Sequence, residues 1–190
     1  SHCHSQLKTK GPARSNRCLC PHCGTLNRYP QPHQGPPKHK MAAIEYYCPQ
    51  CKQSHKGRFF KKPDLVDLEK YHQSEARWGS LEARFVPGEK IPAGDETDRL
   101  HRWGYSKYAD LFNERQQLGL EMSCRWIDKM TGGETRNALA TNLSDLLRYQ
   151  NMLCRYDTSA LKSLDIFSVH GFPVGLMQCE SNLLGIVDEF

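Results

Sequence analysis

Two cysteine pairs, Cys20-Pro-His-Cys23 and Cys48-Pro-Gln-Cys51, constrain this chain more than any other feature. Each is a Cys-x-x-Cys step, and 24 residues lie between the two. Two such turns can present four sulfurs to one tetrahedral Zn²⁺, with Zn–S distances of about 2.3 Å. Four thiolates leave no coordination position for a substrate, so the role predicted is structural. Metal binding then supplies folding energy to the surrounding residues. The sequence thus predicts a Zn²⁺ ion on Cys20, Cys23, Cys48 and Cys51. Cys18, two residues before Cys20, is a weaker substitute ligand, and His22 and His55 read better as surface groups. His2-Cys3-His4 looks like a metal motif on paper, but its aperiodic terminal segment makes it read as an accidental cluster.

Nine cysteines are many for a chain of 190 residues. With four assigned to metal, Cys3, Cys18, Cys124, Cys154 and Cys179 remain, scattered and odd in number, which argues against a disulfide framework. No apolar run approaches the roughly 20 residues that span a bilayer, and no signal-peptide core is present. The expectation is a reduced, cytoplasmic setting with no membrane partner.

Charge is distributed unevenly. Residues 1–62 hold twelve Lys or Arg and one acid, Glu45, a net of +11, whereas residues 63–190 hold fourteen bases and twenty acids, a net of −6. The basic end is the surface expected to face a polyanion. Lys52, Lys56, Arg58, Lys61 and Lys62, interleaved with Tyr46, Tyr47, Phe59 and Phe60, are the predicted nucleic-acid contacts.

The patterning predicts an α+β chain. Residues 1–16 read as an irregular lead-in and 17–62 as a small four-cysteine zinc ribbon of short β-hairpins. Residues 63–190 read as a mainly helical region, interrupted by a Pro/Gly/acidic loop at 87–98. Within the ribbon, Ile44–Cys48 is β-branched and aromatic, and His55–Lys61 can return as its partner. Tyr29–Lys40, with four prolines and a glycine, suits an exposed loop. The first helix should start at Asp64, carry Leu65, Leu68 and Tyr71 or His72 on one stripe, and stop near Gly79. Asn113 and Gln116 form a capping box for the next, with Leu120, Cys124 and Ile127 inward and a stop at Gly132-Gly133. A third is predicted over Glu134–Tyr156, burying Leu139, Leu143, Leu146, Gln150 and Leu153. A shorter one is predicted near Val174–Leu184.

No glycine-rich dinucleotide or phosphate loop, nucleophile elbow or His-Glu-x-x-His helix occurs. The acids Asp95, Glu96 and Asp98 read as a solvated turn rather than a catalytic pair. These residues offer no catalytic set of their own.

Several segments together resemble the adenine-specific DNA methylases that contain a zinc ribbon. They are Cys20–Cys23, IEYYCPQCKQSHKGRFFKKPDL from Ile44, RLHRWGYSKYADLFNERQQLGL from Arg99, ALATNLSDLLRYQNMLCRYD from Ala138 and FPVGLMQCESNLLG from Phe172. In that family a glycine motif binding S-adenosylmethionine precedes the ribbon, and an Asp-Pro-Pro-Tyr motif follows the helices. Neither occurs here, and Gly35-Pro-Pro-Lys38 lacks the acid and the aromatic. The resemblance therefore implies an internal segment of a larger α/β methyltransferase, without catalytic or donor-binding residues of its own. It would engage DNA alongside the missing flanking segments, and S-adenosylmethionine would bind only in the complete enzyme. Methyl transfer to adenine requires the base to leave the stack. Arg115, Gln116, Glu180 and Asn182 are the polar residues expected at the cleft, though Gln116 equally suits a helix cap. The alternative is a freestanding zinc-ribbon module that binds nucleic acid or protein and catalyses nothing.

Overall fold

The computed structural model describes residues 3, 13–14, 17–55, 57–175 and 178–181. Two small β-units precede a helical body. Strands β1 (Ala13–Arg14), β2 (Arg17–Leu19) and β3 (Leu26–Arg28) form an antiparallel sheet in the order β1-β2-β3. Strands β4 (Ile44–Tyr47) and β5 (Arg58–Lys61) form a second antiparallel pair, with Tyr46 opposite Phe59. The loop between β4 and β5 carries the second cysteine pair and the single-turn helix α1 (Lys52–His55). The β4–β5 hairpin matches the expectation from the sequence.

Helix α2 (Leu65–Gly79) begins in a reciprocal capping box between Asp64 and Asp67, which satisfies two of its otherwise orphaned amides. Its half-buried stripe runs through Leu68, Tyr71 and Trp78, while Leu65 is 84% exposed and faces away. Helix α4 (Glu114–Asp128) starts at the predicted Asn113–Gln116 box and packs along α2 and α5 (Gly133–Leu146).

Three expectations need correction. The acidic residues 95, 96 and 98 open a helix, α3 (Asp95–Arg102), rather than extending the loop. Carboxylates in a first turn complement the exposed amides there, so the same residues serve helix initiation. Helix α5 stops at Leu146 instead of Tyr156, and it buries none of its residues; Leu139 is 38% exposed. Gln150 and Leu153 are buried, but beyond the helix, where the chain turns into β6 (Arg155–Asp157) and its partner β7 (Lys162–Leu164). Finally, Val174, Gly175 and residues 178–181 are not helical. Tertiary contacts hold them instead: Arg99 donates to the Val174 carbonyl (2.9 Å), and the Cys179 amide donates to the Cys154 carbonyl (3.1 Å).

The core gathers Ile91, Leu100, Tyr105, Leu111, Leu153, Ile166 and Val174, with Trp103, Phe112 and Phe172 against its edge. These residues come from the connections around α3 and from the chain after α5 more than from long helix faces. Burying each large aliphatic among them stabilises the fold by about 1.5–3 kcal/mol before entropy is counted.

One buried charge locks the helical body. Glu121 on α4 is 2% exposed and accepts from the amides of Arg84 (3.1 Å) and Phe85 (2.8 Å) and from Arg125 Nε (2.6 Å). Burial pushes its pKa up, but the Arg125 guanidinium and the two amides outweigh that, leaving it below the ordinary carboxylate range. The carboxylate thereby fixes the chain after α2 onto α4. No helix among the described residues is long and apolar enough to cross a membrane.

Candidate metal centre and polar surfaces

The first cysteine pair sits on a closed turn after β2. The Cys20 amide donates to the Thr25 carbonyl (3.0 Å), and the Gly24 amide donates back to the Cys20 carbonyl (2.9 Å). Gly24 adopts φ +69°, a left-handed conformation that a β-carbon disfavours. This turn directs both sulfurs to one side, where Cys3 joins them. The Sγ atoms of Cys3, Cys20 and Cys23 all lie within 4.8 Å of one another, with Cys3 and Cys20 3.6 Å apart. A tetrahedral ion with Zn–S bonds of about 2.3 Å has S···S edges of about 3.8 Å, so the Cys3–Cys20 spacing fits a shared ion. Cys3, read from the sequence as accidental, is thus the residue the structure adds. Its spacing from Cys20 follows no Cys-x-x-Cys step, and only the fold brings it close.

The thiols around this centre are tuned in opposite directions. The Cys23 and His22 amides favour the Cys20 thiolate, but burial and the two neighbouring thiols outweigh them and raise its pKa. Cys23 is lowered by the hydroxyl and amide of Thr25, whose Oγ1 lies 3.4 Å from Cys23 Sγ. Thiolate is the form in which a cysteine binds metal.

The second pair does not join this cluster. Cys48 and Cys51 face each other with Sγ atoms 2.9 Å apart, and no further described His, Cys, Asp or Glu completes a three-ligand group with them. The structure brings together Cys20 with Cys23, and Cys48 with Cys51, but it does not bring the four predicted sulfurs into one shell. The reason is where each hairpin is anchored. Tyr46 donates to Asp67 at the start of α2, Lys61 Nζ lies 2.7 Å from Asp64, and Tyr156 donates to Glu45 (2.5 Å). Phe60 meets Tyr156 edge-on at 5.3 Å. These contacts hold β4–β5 on the helical body, while the first turn belongs to the separate β1–β3 sheet. Cys18 is buried mid-strand and outside the cluster, as is exposed His22; the His55 side chain lies outside the described residues.

Two of the predicted phosphate contacts are engaged within the protein. Arg58 donates to the Leu161 carbonyl (2.8 Å) and lies 3.5 Å from Glu45, and Lys61 lies against both Asp64 and Asp67. Lys52 and Lys62 are exposed, Lys52 with its ammonium 5.8 Å from the Tyr47 ring centre; Lys56 lies outside the described residues.

Of the predicted cleft residues, Arg115 and Glu180 form an ion pair at 2.8 Å, and Arg115 also lies over the Tyr71 ring. Gln116 is fully buried: its Oε1 accepts from the Asn113 amide and its Nε2 donates to the Ser181 carbonyl (3.0 Å). Capping and docking of the late segment occupy this side chain. Asn182 lies outside the described residues.

Two concavities adjoin these elements. An apolar one of about 590 Å³ lies between α4 and α5, lined by Phe85, Phe112, Leu120, Cys124, Ile127 and Leu143. Glu121 borders it, but its oxygens already serve the Arg84 and Phe85 amides and Arg125. A groove of about 810 Å³ with a mixed polar and apolar lining runs between β3, the chain that follows it, and Trp103. No family model, curated protein or solved structure matches the chain.

Proposed function

We propose that this chain is a zinc-pinned, DNA-engaging internal segment of an adenine-specific, S-adenosylmethionine-dependent DNA methyltransferase. The observation that carries the reading is the meeting of two stretches that bear the family resemblance. Arg115 and Gln116 of DLFNERQ hold Glu180 and Ser181 of the late segment. A further support is the thiol cluster at the basic end, whose Cys3–Cys20 spacing suits Zn²⁺. In this proposal Cys3, Cys20 and Cys23 would hold the ion. Soft thiolates favour zinc over hard cations such as magnesium or calcium. When bound, the ion supplies no chemistry at the substrate; it fixes the first sheet. A reducing, cytoplasmic setting belongs to the same reading, since the thiols must remain available.

The methyl donor enters only with the flanking segments that carry its glycine motif and the Asp-Pro-Pro-Tyr motif. The test is methyl transfer from labelled donor to DNA. The 190-residue chain alone should give none, and expression with its flanking coding sequence should give methylated adenine. Transfer by the chain alone, or flanks without those motifs, overturns the proposal.

A further inference from the structure

The outer face of the first sheet carries two arginines directly opposite one another. Arg17 on β2 pairs in register with Arg28 on β3, and both are exposed. Directly opposed residues of antiparallel strands project to the same face, and like charges there destabilise the pair. No acid offsets this one: neither arginine forms an ion pair among the described residues, and the first acid in the chain is Glu45. Arg14 holds the adjoining register position on β1. On the same outer face Leu19 (55% exposed) lies opposite Leu26 (45% exposed), while Cys18 is buried on the other.

This basic face runs into the groove of mixed lining beside β3. Arg28, Tyr29, Lys38 and Trp103 line it, and Lys38 is exposed without an ion partner among the described residues. Its wall is built by a close approach. Gly104, at φ +87°, lies so near Gly35 that a β-carbon on Gly104 would collide with the Gly35 carbonyl.

We infer that this face, Arg17 and Arg28 continuing to Lys38 in the groove, holds the phosphodiester backbone of a nucleic acid. The inference rests on the DNA-engaging role proposed above and relocates it from the β4–β5 hairpin, where Arg58 and Lys61 are already neutralised. Guanidinium pairs suit phosphate because each presents a planar fork of donors. A repulsive pair becomes favourable once an anion lies across it. The exposed leucines and Trp103 offer apolar surface for bases beside that backbone.

The test uses the zinc-loaded full chain and labelled single-stranded and duplex oligonucleotides, followed by anisotropy across a salt series. Arg17→Glu places an acid opposite Arg28. It should lower affinity at least tenfold and reduce the log–log salt slope by about two, since two cations stop contacting phosphate. The same substitution should leave the thermal midpoint unchanged or raised, because an opposed-charge pair replaces a repulsive one. Lys38→Gln, on the loop, should lower the slope by about one without touching the sheet. Lys52→Glu with Lys62→Glu should change affinity less than Arg17→Glu does. Unchanged affinity and slope in Arg17→Glu overturn the inference. A loss carried by Lys52 and Lys62 overturns this placement but leaves DNA engagement standing. Failure of the unsubstituted chain to bind either oligonucleotide overturns both. Displacement of DNA by polyglutamate of equal charge at equal concentration assigns the face to an acidic protein instead.

Discussion

The two cysteine turns share a motif yet are held in different ways. The turn after β2 closes on itself through Thr25 and Gly24 and gathers three thiols, Cys3, Cys20 and Cys23. Its sheet has strands of only two and three residues, short of the usual length of about five or six. The turn between β4 and β5 rests on a hairpin fastened to the body by Tyr46, Lys61, Phe60 and Tyr156. Identical spacing therefore supports two arrangements: one that gathers three thiols able to hold a metal ion, and one fastened by side-chain contacts with α2 and β6. What surrounds a Cys-x-x-Cys step decides which it becomes.

Removing metal should separate the two most sharply. Structural zinc sites in small modules are worth about 10–16 kcal/mol of apparent binding energy at neutral pH. Chelation should therefore abolish amide protection across β1–β3 while β4–β5 and the helices keep theirs. Equal loss of protection in both hairpins in hydrogen exchange would break the comparison.

The converse experiment attacks the body. Glu121→Ala removes a buried carboxylate and leaves two amides and Arg125 without their acceptor, which should cost about 3–5 kcal/mol in denaturant unfolding. Zinc affinity should be unaffected. A parallel fall in zinc affinity would mean that the two regions fold as one.

Tyr156→Phe should act more gently. It deletes the hydroxyl donated to Glu45 but keeps the ring against Phe60, so a loss of about 1–2 kcal/mol is expected, confined to the second hairpin and β6–β7. The phenol itself should titrate late, since burial and the Glu45 hydrogen bond raise its pKa to about 12. A midpoint near the ordinary value of 10.0 by ultraviolet absorbance would contradict the contact.

Acid should produce the smallest effect. Lys61 and the backbone amides hold Asp64 at about 2, below its ordinary value of 3.8. A depressed carboxylate stabilises the folded state above its unfolded pKa, and this contribution disappears as pH falls from about 4 through about 2. Lys61→Gln should shrink that window without affecting the first sheet. An undiminished acid transition in Lys61→Gln would remove Lys61 as its cause.

Local chemistry made part of this molecule legible in sequence. Asp64 and Asn113 announced two helix starts because a capping side chain acts within three residues. The β4–β5 pair was visible because two β-branched or aromatic runs flank the one short connection that carries Cys48 and Cys51. Longer-range outcomes were not. Leu139 and Leu143 have the spacing of a core stripe, but periodicity cannot say whether a partner covers α5. Cys3 lies 17 residues before Cys20, and only the fold makes the two neighbours. The arginine pair was hidden for the same reason, since Arg17 and Arg28 meet only through strand register.

The central claim, that the ion belongs to the first turn, is tested most directly by metal content and the Co²⁺ spectrum of two variants. Cys48→Ser with Cys51→Ser should retain one zinc per chain and the sulfur-to-cobalt charge-transfer band of the unsubstituted protein. Cys3→Ser should weaken binding and reduce that band by about a third, in keeping with loss of one of three thiolates. Loss of the metal in the Cys48/Cys51 variant, with Cys3→Ser unchanged, would contradict the account and restore one shell shared by both turns.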